Sequence, residues 1–265
     1  MGILNVTPNS FSDGNAQYLN IEKNVEKVKK MIKSGANIID IGAESTKPGS
    51  DTVGTEEQIH RIIPLLKYLK KNNICKKVSL SVDTSDPVVM EESIKYGVRI
   101  INDVRALSTN EAIKVVKKNE SYVCIAHIKG NPKYMQKNPF YQDLLPEIYN
   151  YFFFKIKYLI SCGIKKEKII IDPGIGFGKK ARNNIEILNS LQILKKLDCP
   201  LLIGISRKSI IGEILGKQVN QRLYGTIGSE ILACLNGANI IRTHDVQASF
   251  EAIKMVYGVK KHAYF

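Results

Sequence analysis

The chain has 265 residues, 44% of them apolar, and carries 39 lysines and arginines against 25 acidic residues for a formal net charge of +14. That length suits one α/β barrel of about 250 residues, and no apolar run approaches the ~18 residues of a membrane span. The positive balance fits either nucleic acid or small anionic substrates; the lysines are dispersed over helix faces, as in Glu22-Lys23…Lys27…Lys29-Lys30, with no interleaved aromatics, which favours the second.

Met1-Gly2-Ile3-Leu4 has no basic leader character, so no signal peptide is expected. Cys75, Cys124, Cys162, Cys199 and Cys234 are odd in number and lack paired or C-x-x-C spacing. They read as reduced thiols of a cytoplasmic protein, not as a disulfide or metal framework.

In chain order, short apolar runs alternate with helical patterns. Ile3-Leu4-Asn5 is followed by a helix over 21–33, where Val25, Val28, Met31 and Ile32 recur at three- and four-residue steps. Ile38-Ile39-Asp40 precedes a helix over 55–71, with Thr55 and Gln58 spaced as a capping box. Leu80-Ser81-Val82-Asp83, Ile100-Ile101-Asn102-Asp103, Cys124-Ile125-Ala126-His127 and Ile169-Ile170-Ile171-Asp172 are separated by helices over 87–96, 110–118 and 144–161. A helix over 183–197 leads to Leu202-Ile203-Gly204, then a short helix over 210–215 and a longer one over 221–235. Ile240-Ile241-Arg242-Thr243-His244 and a helix over 247–257 complete the series. Gly35, Gly97, Gly163 and Gly237 stand where helix ends need a left-handed residue.

Eight buried strands, each followed by a helix, predict a single (β/α)₈ TIM barrel spanning 1–265. Long loops are expected after strands 1 and 2 (6–20 and 43–54), a decoration over 129–143, and a short extra helix after strand 7. A polar residue at the C-terminal end of a barrel strand lies at the mouth where active sites form. All eight runs therefore aim at one site.

The segments at those strand ends carry distinct chemistry. In Asn5-Val6-Thr7-Pro8-Asn9-Ser10-Phe11-Ser12-Asp13-Gly14, the Asn5 amide can offer an oxygen to a Mg²⁺ that also holds phosphates, or the segment is only a loop. Glu44-Ser45-Thr46-Lys47-Pro48-Gly49 places a hydroxyl and a cation where an anionic ligand could be met, or forms a capped turn. Asp83, Asn102 and Asp172 need donors at the barrel mouth, supplied by a flat heterocycle with paired N–H groups or by a structural network. Asp172-Pro173-Gly174-Ile175-Gly176-Phe177-Gly178-Lys179 lacks phosphate-loop spacing and reads as a tight loop that leaves room beside Asp172 and presents Phe177. Gly204-Ile205-Ser206-Arg207-Lys208-Ser209, with Arg242 and His244, lies where this fold often binds anions. His60 and His262 read as surface residues, and His127 is left undecided. The set contains no Ser-His-Asp triad and no dinucleotide fingerprint. It suits transfer of a group activated as a phosphate or diphosphate ester.

The segments 5–14, 44–49, Ser81-Val82-Asp83-Thr84, Ile101-Asn102-Asp103, 172–179, Ser206-Arg207-Lys208-Ser209 and Arg242-Thr243-His244-Asp245, in this order, resemble the dihydropteroate synthases of the pterin-binding enzymes, and the resemblance runs from Asn5 to about Tyr257. The resemblance implies condensation of 6-hydroxymethyl-7,8-dihydropterin diphosphate with 4-aminobenzoate to 7,8-dihydropteroate in folate biosynthesis, with diphosphate leaving first. It implies that Asp83, Asn102 and Asp172 hold the pterin edge and that Lys208 reaches its ring oxygen and nitrogen. Asn5 would bind Mg²⁺, Arg242 and His244 the diphosphate, and Ser209 the aminobenzoate carboxylate. Phe11, Pro48 and Phe177 would wall the aminobenzoate slot, Arg207 would flank the pterin, and Thr46 and Lys47 would meet substrate from the second loop. A homodimer is implied as well, with no nucleic-acid or membrane partner.

Four features depart from the family pattern. Lys47 replaces an arginine and loses its bidentate fork, Asn9 replaces an aspartate, Ala126 replaces a larger methionine, and the sequence opens at the first strand, where a leading segment is usual, so either an earlier start or a less covered barrel base is expected. A methyltetrahydrofolate-dependent methyltransferase of the same barrel family is an alternative, as is a non-catalytic pterin-binding or basic nucleic-acid-binding protein. Against the methyltransferase stand Ser206-Arg207-Lys208-Ser209 and the first loop, since that chemistry has no diphosphate to hold.

Overall fold

The computed structural model describes residues 1–6, 21–43, 53–130, 135 and 139–262. Strands β1 (Gly2–Asn5), β2 (Ile38–Gly42), β3 (Ser79–Asp83), β4 (Val98–Asp103), β5 (Tyr122–Ala126) and β6 (Ile169–Asp172) form one parallel sheet in sequence order. β7 (Leu202–Ile203) and β8 (Ile240–Ile241) form a second parallel pair. Two single bridges join these pieces into a ring: Ile171 pairs with Leu201 just before β7, and Gly2 pairs with Thr243 just after β8. Their hydrogen bonds are of ordinary length, with Ile171 N donating to Pro200 O at 2.9 Å and Ile3 N to Thr243 O at 3.0 Å. The eight strands thus close into the (β/α)₈ barrel expected from the sequence.

The helices are α1 (Ile21–Lys33), α2 (Thr55–Lys71), α3 (Pro87–Lys95), α4 (Asn110–Lys118), α5 (Leu144–Ser161), α6 (Ala181–Asn189), α7 (Leu191–Lys195), α8 (Ser209–Leu215), α9 (Leu223–Leu235) and α10 (Val246–His262). The short extra helix after strand 7 is α8. Most of the two expected loops, at 7–20 and 44–52, lies outside the described residues. Gly35, Gly97, Gly163 and Gly237 close their helices at φ between 93° and 110°, as the punctuation of the chain predicted.

Two local expectations change. The predicted helix over 183–197 breaks at Ser190, whose φ of −117° and ψ of 20° lie off the helical values, leaving α6 and α7. The predicted capping box of α2 does not form, because the helix begins one residue earlier than that motif requires. Gly54 takes the cap position, the Thr55 hydroxyl donates to Asp86 at 2.5 Å, and the Gln58 amide reaches back to the Val53 carbonyl at 2.8 Å.

The two-residue period of the strands then sorts the side chains. Ile39, Ile41, Leu80, Val82, Ile101, Val123, Ile125, Ile169, Ile171, Ile203 and Ile241 belong to the main core beneath the helices. Ile100, Cys124, Ile170 and Leu202 form a separate cluster within the barrel, with Met1, Ile38 and Ile240 against it. Two positions beyond Ile38, Ile100, Ile170 and Ile240 come Asp40, Asn102, Asp172 and Arg242. The same alternation that packs an apolar floor in the barrel therefore lifts a polar layer above it.

Candidate active site

Arg242, just beyond β8, reaches across the barrel mouth. Its Nε donates to Asp40 Oδ2 at 2.7 Å and its Nη2 to Asp83 Oδ2 at 2.8 Å. Asp40, fully buried on β2, also accepts from Ser81 Oγ at 2.6 Å and from Asn102 Nδ2 at 2.9 Å. Burial pulls the guanidinium down, but the carboxylates of Asp40 and Asp83 outweigh it and hold the charge firmly in place. Strands 2, 3, 4 and 8 are thereby tied into one hydrogen-bonded array. Asp40 was not among the predicted site residues. The signal was nevertheless present in its spacing two residues after Ile38, the spacing that lifts Asn102 above Ile100.

Asp172 ends β6 and is buried, which pushes its carboxyl up, while Lys208 and the Gly174 amide favour the charged form. Gly174 N donates to Asp172 Oδ1 at 2.8 Å. The following loop folds tightly back on the barrel. Gly174 and Gly178 take φ of 68° and 64°, and a Cβ on either would lie 2.1 Å from the His127 carbonyl oxygen or 2.3 Å from that of Lys129. Lys208 comes in from the β7 side. It donates to the Ile175 carbonyl, its Nζ stands 4.4 Å from the centre of the half-buried Phe177 ring, and burial lowers it to about 8 despite Asp172. The structure thus brings together Asp83, Asn102, Asp172, Lys208, Arg242 and Phe177.

His127, undecided from the sequence, is a buried loop anchor. Its Nδ1 lies 3.0 Å from Lys179 Nζ, whose three hydrogens at most are shared between that nitrogen and the carbonyls of His127, Gly174 and Phe177 at 3.0–3.1 Å. Burial, reinforced by Lys179, lowers His127 to about 3, so the ring is neutral, and burial also lowers Lys179 to about 7.

Ser209, which follows Lys208, is exposed at the start of α8. His244 is exposed, with Nδ1 3.0 Å from Ser206 Oγ. Arg207 takes a left-handed φ of 59° and binds Asp245 with both arms of its fork, at 2.9 and 2.5 Å, so it stands outside the Arg242 array. Asn5 is exposed at the end of β1, paired in register with Gly42. Phe11, Thr46, Lys47 and Pro48, with Asn9, lie outside the described residues. Among the described residues no group of three or more His, Cys, Asp or Glu side chains could hold a metal ion. The exposed Asn5 amide oxygen is of the kind that would fit a Mg²⁺, a hard cation that takes oxygen ligands.

A parallel barrel whose mouth holds buried carboxylates and an amide opposite a lysine and an arginine is built to grip a flat, polar heterocycle bearing an anionic arm. Residues 1–244 match the family described as pterin binding enzymes, and the chain belongs to that family. It is 43% identical over 256 residues to the dihydropteroate synthase of Escherichia coli K12, covering 97% of this chain and 89% of the relative. The solved structure of Yersinia pestis dihydropteroate synthase with a sulfonamide drug superposes with a TM-score of 0.91 at 40% identity, covering 98% of this chain and 93% of the other. That of Xanthomonas albilineans dihydropteroate synthase in complex with 7,8-dihydropteroate superposes with a TM-score of 0.85 at 34% identity, covering 98% and 92%.

Proposed function

We propose that this mouth condenses (7,8-dihydropterin-6-yl)methyl diphosphate with 4-aminobenzoate, giving 7,8-dihydropteroate and diphosphate. The chemistry is that of the family's dihydropteroate synthases, a transferase step of folate biosynthesis. The observation that carries the assignment of roles is the convergence of Asp83, Asn102, Asp172, Lys208 and Arg242 on one barrel mouth.

In this reading Asp172 and Asp83 accept from the amidine-like edge of the pterin, and Asn102, its amide fixed on Asp40, presents its oxygen to an adjacent edge. Lys208 donates to the ring oxygen and nitrogen. Arg242 and His244 hold the diphosphate, and Asn5 would hold a Mg²⁺, which would supply further neutralisation of its charge. Ser209 receives the aminobenzoate carboxylate at the start of α8, Phe177 walls its slot with Phe11 and Pro48, and Thr46 and Lys47 meet substrate from the second loop. Diphosphate departs first, the cation spreads over the electron-rich pterin, and the aniline nitrogen attacks. Fixed donors and acceptors supply the stabilisation, so no strong general base is required. Arg207, held on Asp245, would flank the pterin only after leaving that partner.

The proposal includes one pterin-binding domain over 1–265, a cytoplasmic location and a homodimer. Five free cysteines support the location, and no described helix is long and apolar enough to cross a membrane. For the dimer, α9 and α10 expose Tyr224, Leu232, Leu235, Met255, Tyr257 and Val259, an apolar set of the kind that marks protein contact surfaces. The test of the reaction is diphosphate release with Mg²⁺, with and without 4-aminobenzoate, in the wild type and in Asp172→Ala. Release coupled to dihydropteroate and lost in the variant supports it; pterin-independent release contradicts it.

A further inference from the structure

Behind His244 runs a polar seam that the reaction, as read above, does not use. Glu230 on α9 is fully buried, and neither carboxyl oxygen accepts a hydrogen bond of ordinary geometry, although the Ser249 and Thr243 hydroxyls face it. Burial pushes this carboxyl up to about 7 against the pull of those hydroxyls. Asp245, the Met1 amine and Cys234 are the other titratable groups facing it. From Thr243 the seam continues outward. Thr243 Oγ1 lies 3.0 Å from Ser249 Oγ and 3.5 Å from Ser206 Oγ, and Ser206 Oγ lies 3.0 Å from His244 Nδ1.

Each hydroxyl has one hydrogen and two lone pairs, so the seam has a direction. Ser206 Oγ already accepts from the His244 backbone amide at 3.1 Å. When Thr243 also donates to it, both lone pairs are occupied and its own hydrogen falls on His244 Nδ1. The imidazole is then neutral, with its N–H at Nε2. When Glu230 ionises, the Thr243 hydroxyl, whose oxygen accepts from the Asp245 amide at 3.2 Å, turns its hydrogen to the carboxylate, and Ser249 does the same on leaving the Asp245 carbonyl to which it donates at 3.0 Å. Ser206 regains a lone pair, turns its own hydrogen to Thr243 Oγ1 at 3.5 Å and accepts one from Nδ1, the arrangement an imidazolium requires.

We propose that Glu230, Ser249, Thr243 and Ser206 form a buried hydroxyl relay that sets the tautomer and charge of His244, making Glu230 a positioning residue for a ring that binds a diphosphate oxygen. The relay stands on its own geometry; its consequence for the reaction rests on the reading of His244 given above.

The test is a pH titration of the imidazole ring signals by NMR, with His244 assigned by its loss in His244→Asn. Glu230→Gln removes the ionisable group at nearly constant shape, and Thr243→Val cuts the path while keeping the carboxyl. The midpoint of His244 should fall by about half a pH unit in each, the direction expected when a neighbouring carboxylate is removed or disconnected. In turnover, the KM for the pterin diphosphate should lose an inflection near neutral pH in Glu230→Gln, while the KM for 4-aminobenzoate holds, a split that mere loosening of α9 would not produce. A His244 midpoint unchanged in Glu230→Gln overturns the relay, and should that variant fail to fold, an unchanged midpoint in Thr243→Val does the same. The titration needs no substrate, so a wild type without turnover would count against the proposed reaction and leave the relay readable.

Discussion

Asp40 shows how a residue that touches no substrate in the proposed reaction can govern those that do. It accepts from Arg242, Asn102 and Ser81 together, and removing its charge leaves the largely covered Arg242 with Asp83 as its remaining hydrogen-bonded carboxylate. Breaking a buried pair from one side costs about 3 kcal/mol or more. Asp40→Asn should therefore lower thermal stability and weaken pterin binding at least tenfold, read by calorimetry on one sample; unaltered pterin affinity would argue that Arg242 and Asn102 hold their places without it. Lys208 gives a pH dependence at the same scale. Burial lowers it to about 8, so it is charged below that pH and loses its proton as pH rises through it. Pterin binding should weaken on the alkaline side of about 8, and Lys208→Arg should carry the limit upward, because arginine keeps its charge. The chemical type of Asp83, Asn102, Asp172, Lys208 and Arg242 was legible in the sequence because each closes or follows an apolar run. Pairing was not, since the 202-residue separation between Asp40 and Arg242 is bridged only by closure of the ring.

Among the elements, the loop after β6 is the most exactingly built. Lys179 gathers four groups from two segments, and Gly174 and Gly178 leave no room for a side chain against the carbonyls of His127 and Lys129. Gly174→Ala would place a methyl 2.1 Å from the His127 oxygen in a left-handed backbone, at a cost of about 1–3 kcal/mol. It should raise the KM for 4-aminobenzoate by displacing Phe177, with a lowered melting temperature; a variant with wild-type kinetics would show that the loop's height does not matter. The glycines announced a tight loop in the sequence. The Lys179 clamp was not visible there, because His127 lies 52 residues away and a lone histidine gives no direction. Helix extents followed from periodicity and glycine punctuation. The α2 cap did not, because Thr55 and Gln58 found partners in Asp86 and the Val53 carbonyl, the first of them contributed by the next strand-helix unit.

For the whole molecule, closure is the feature that makes a site from separate strands. β7 and β8 keep only two ladder residues each, and single bridges at Leu201 and Thr243 connect them to their neighbours. Arg242 and the segment after β7 depend on those joints. The net charge of +14 is spread along the chain, so DNA binding with a steep salt dependence should be absent in fluorescence anisotropy. The apolar surface of α9 and α10 belongs to this scale as well. Met255→Lys should convert a dimer to monomer in light scattering, and a wild type that is already monomeric would remove the dimer from the proposal. In the proposed reaction one barrel mouth couples departure of diphosphate to formation of dihydropteroate. The most direct measurement follows both products from the pterin diphosphate with Mg²⁺ and 4-aminobenzoate, beside Asp172→Ala. Equal yields of the two products, both lost in the variant, are the predicted result; pterin diphosphate that neither binds nor reacts, or turnover undiminished by the loss of Asp172, would contradict the account.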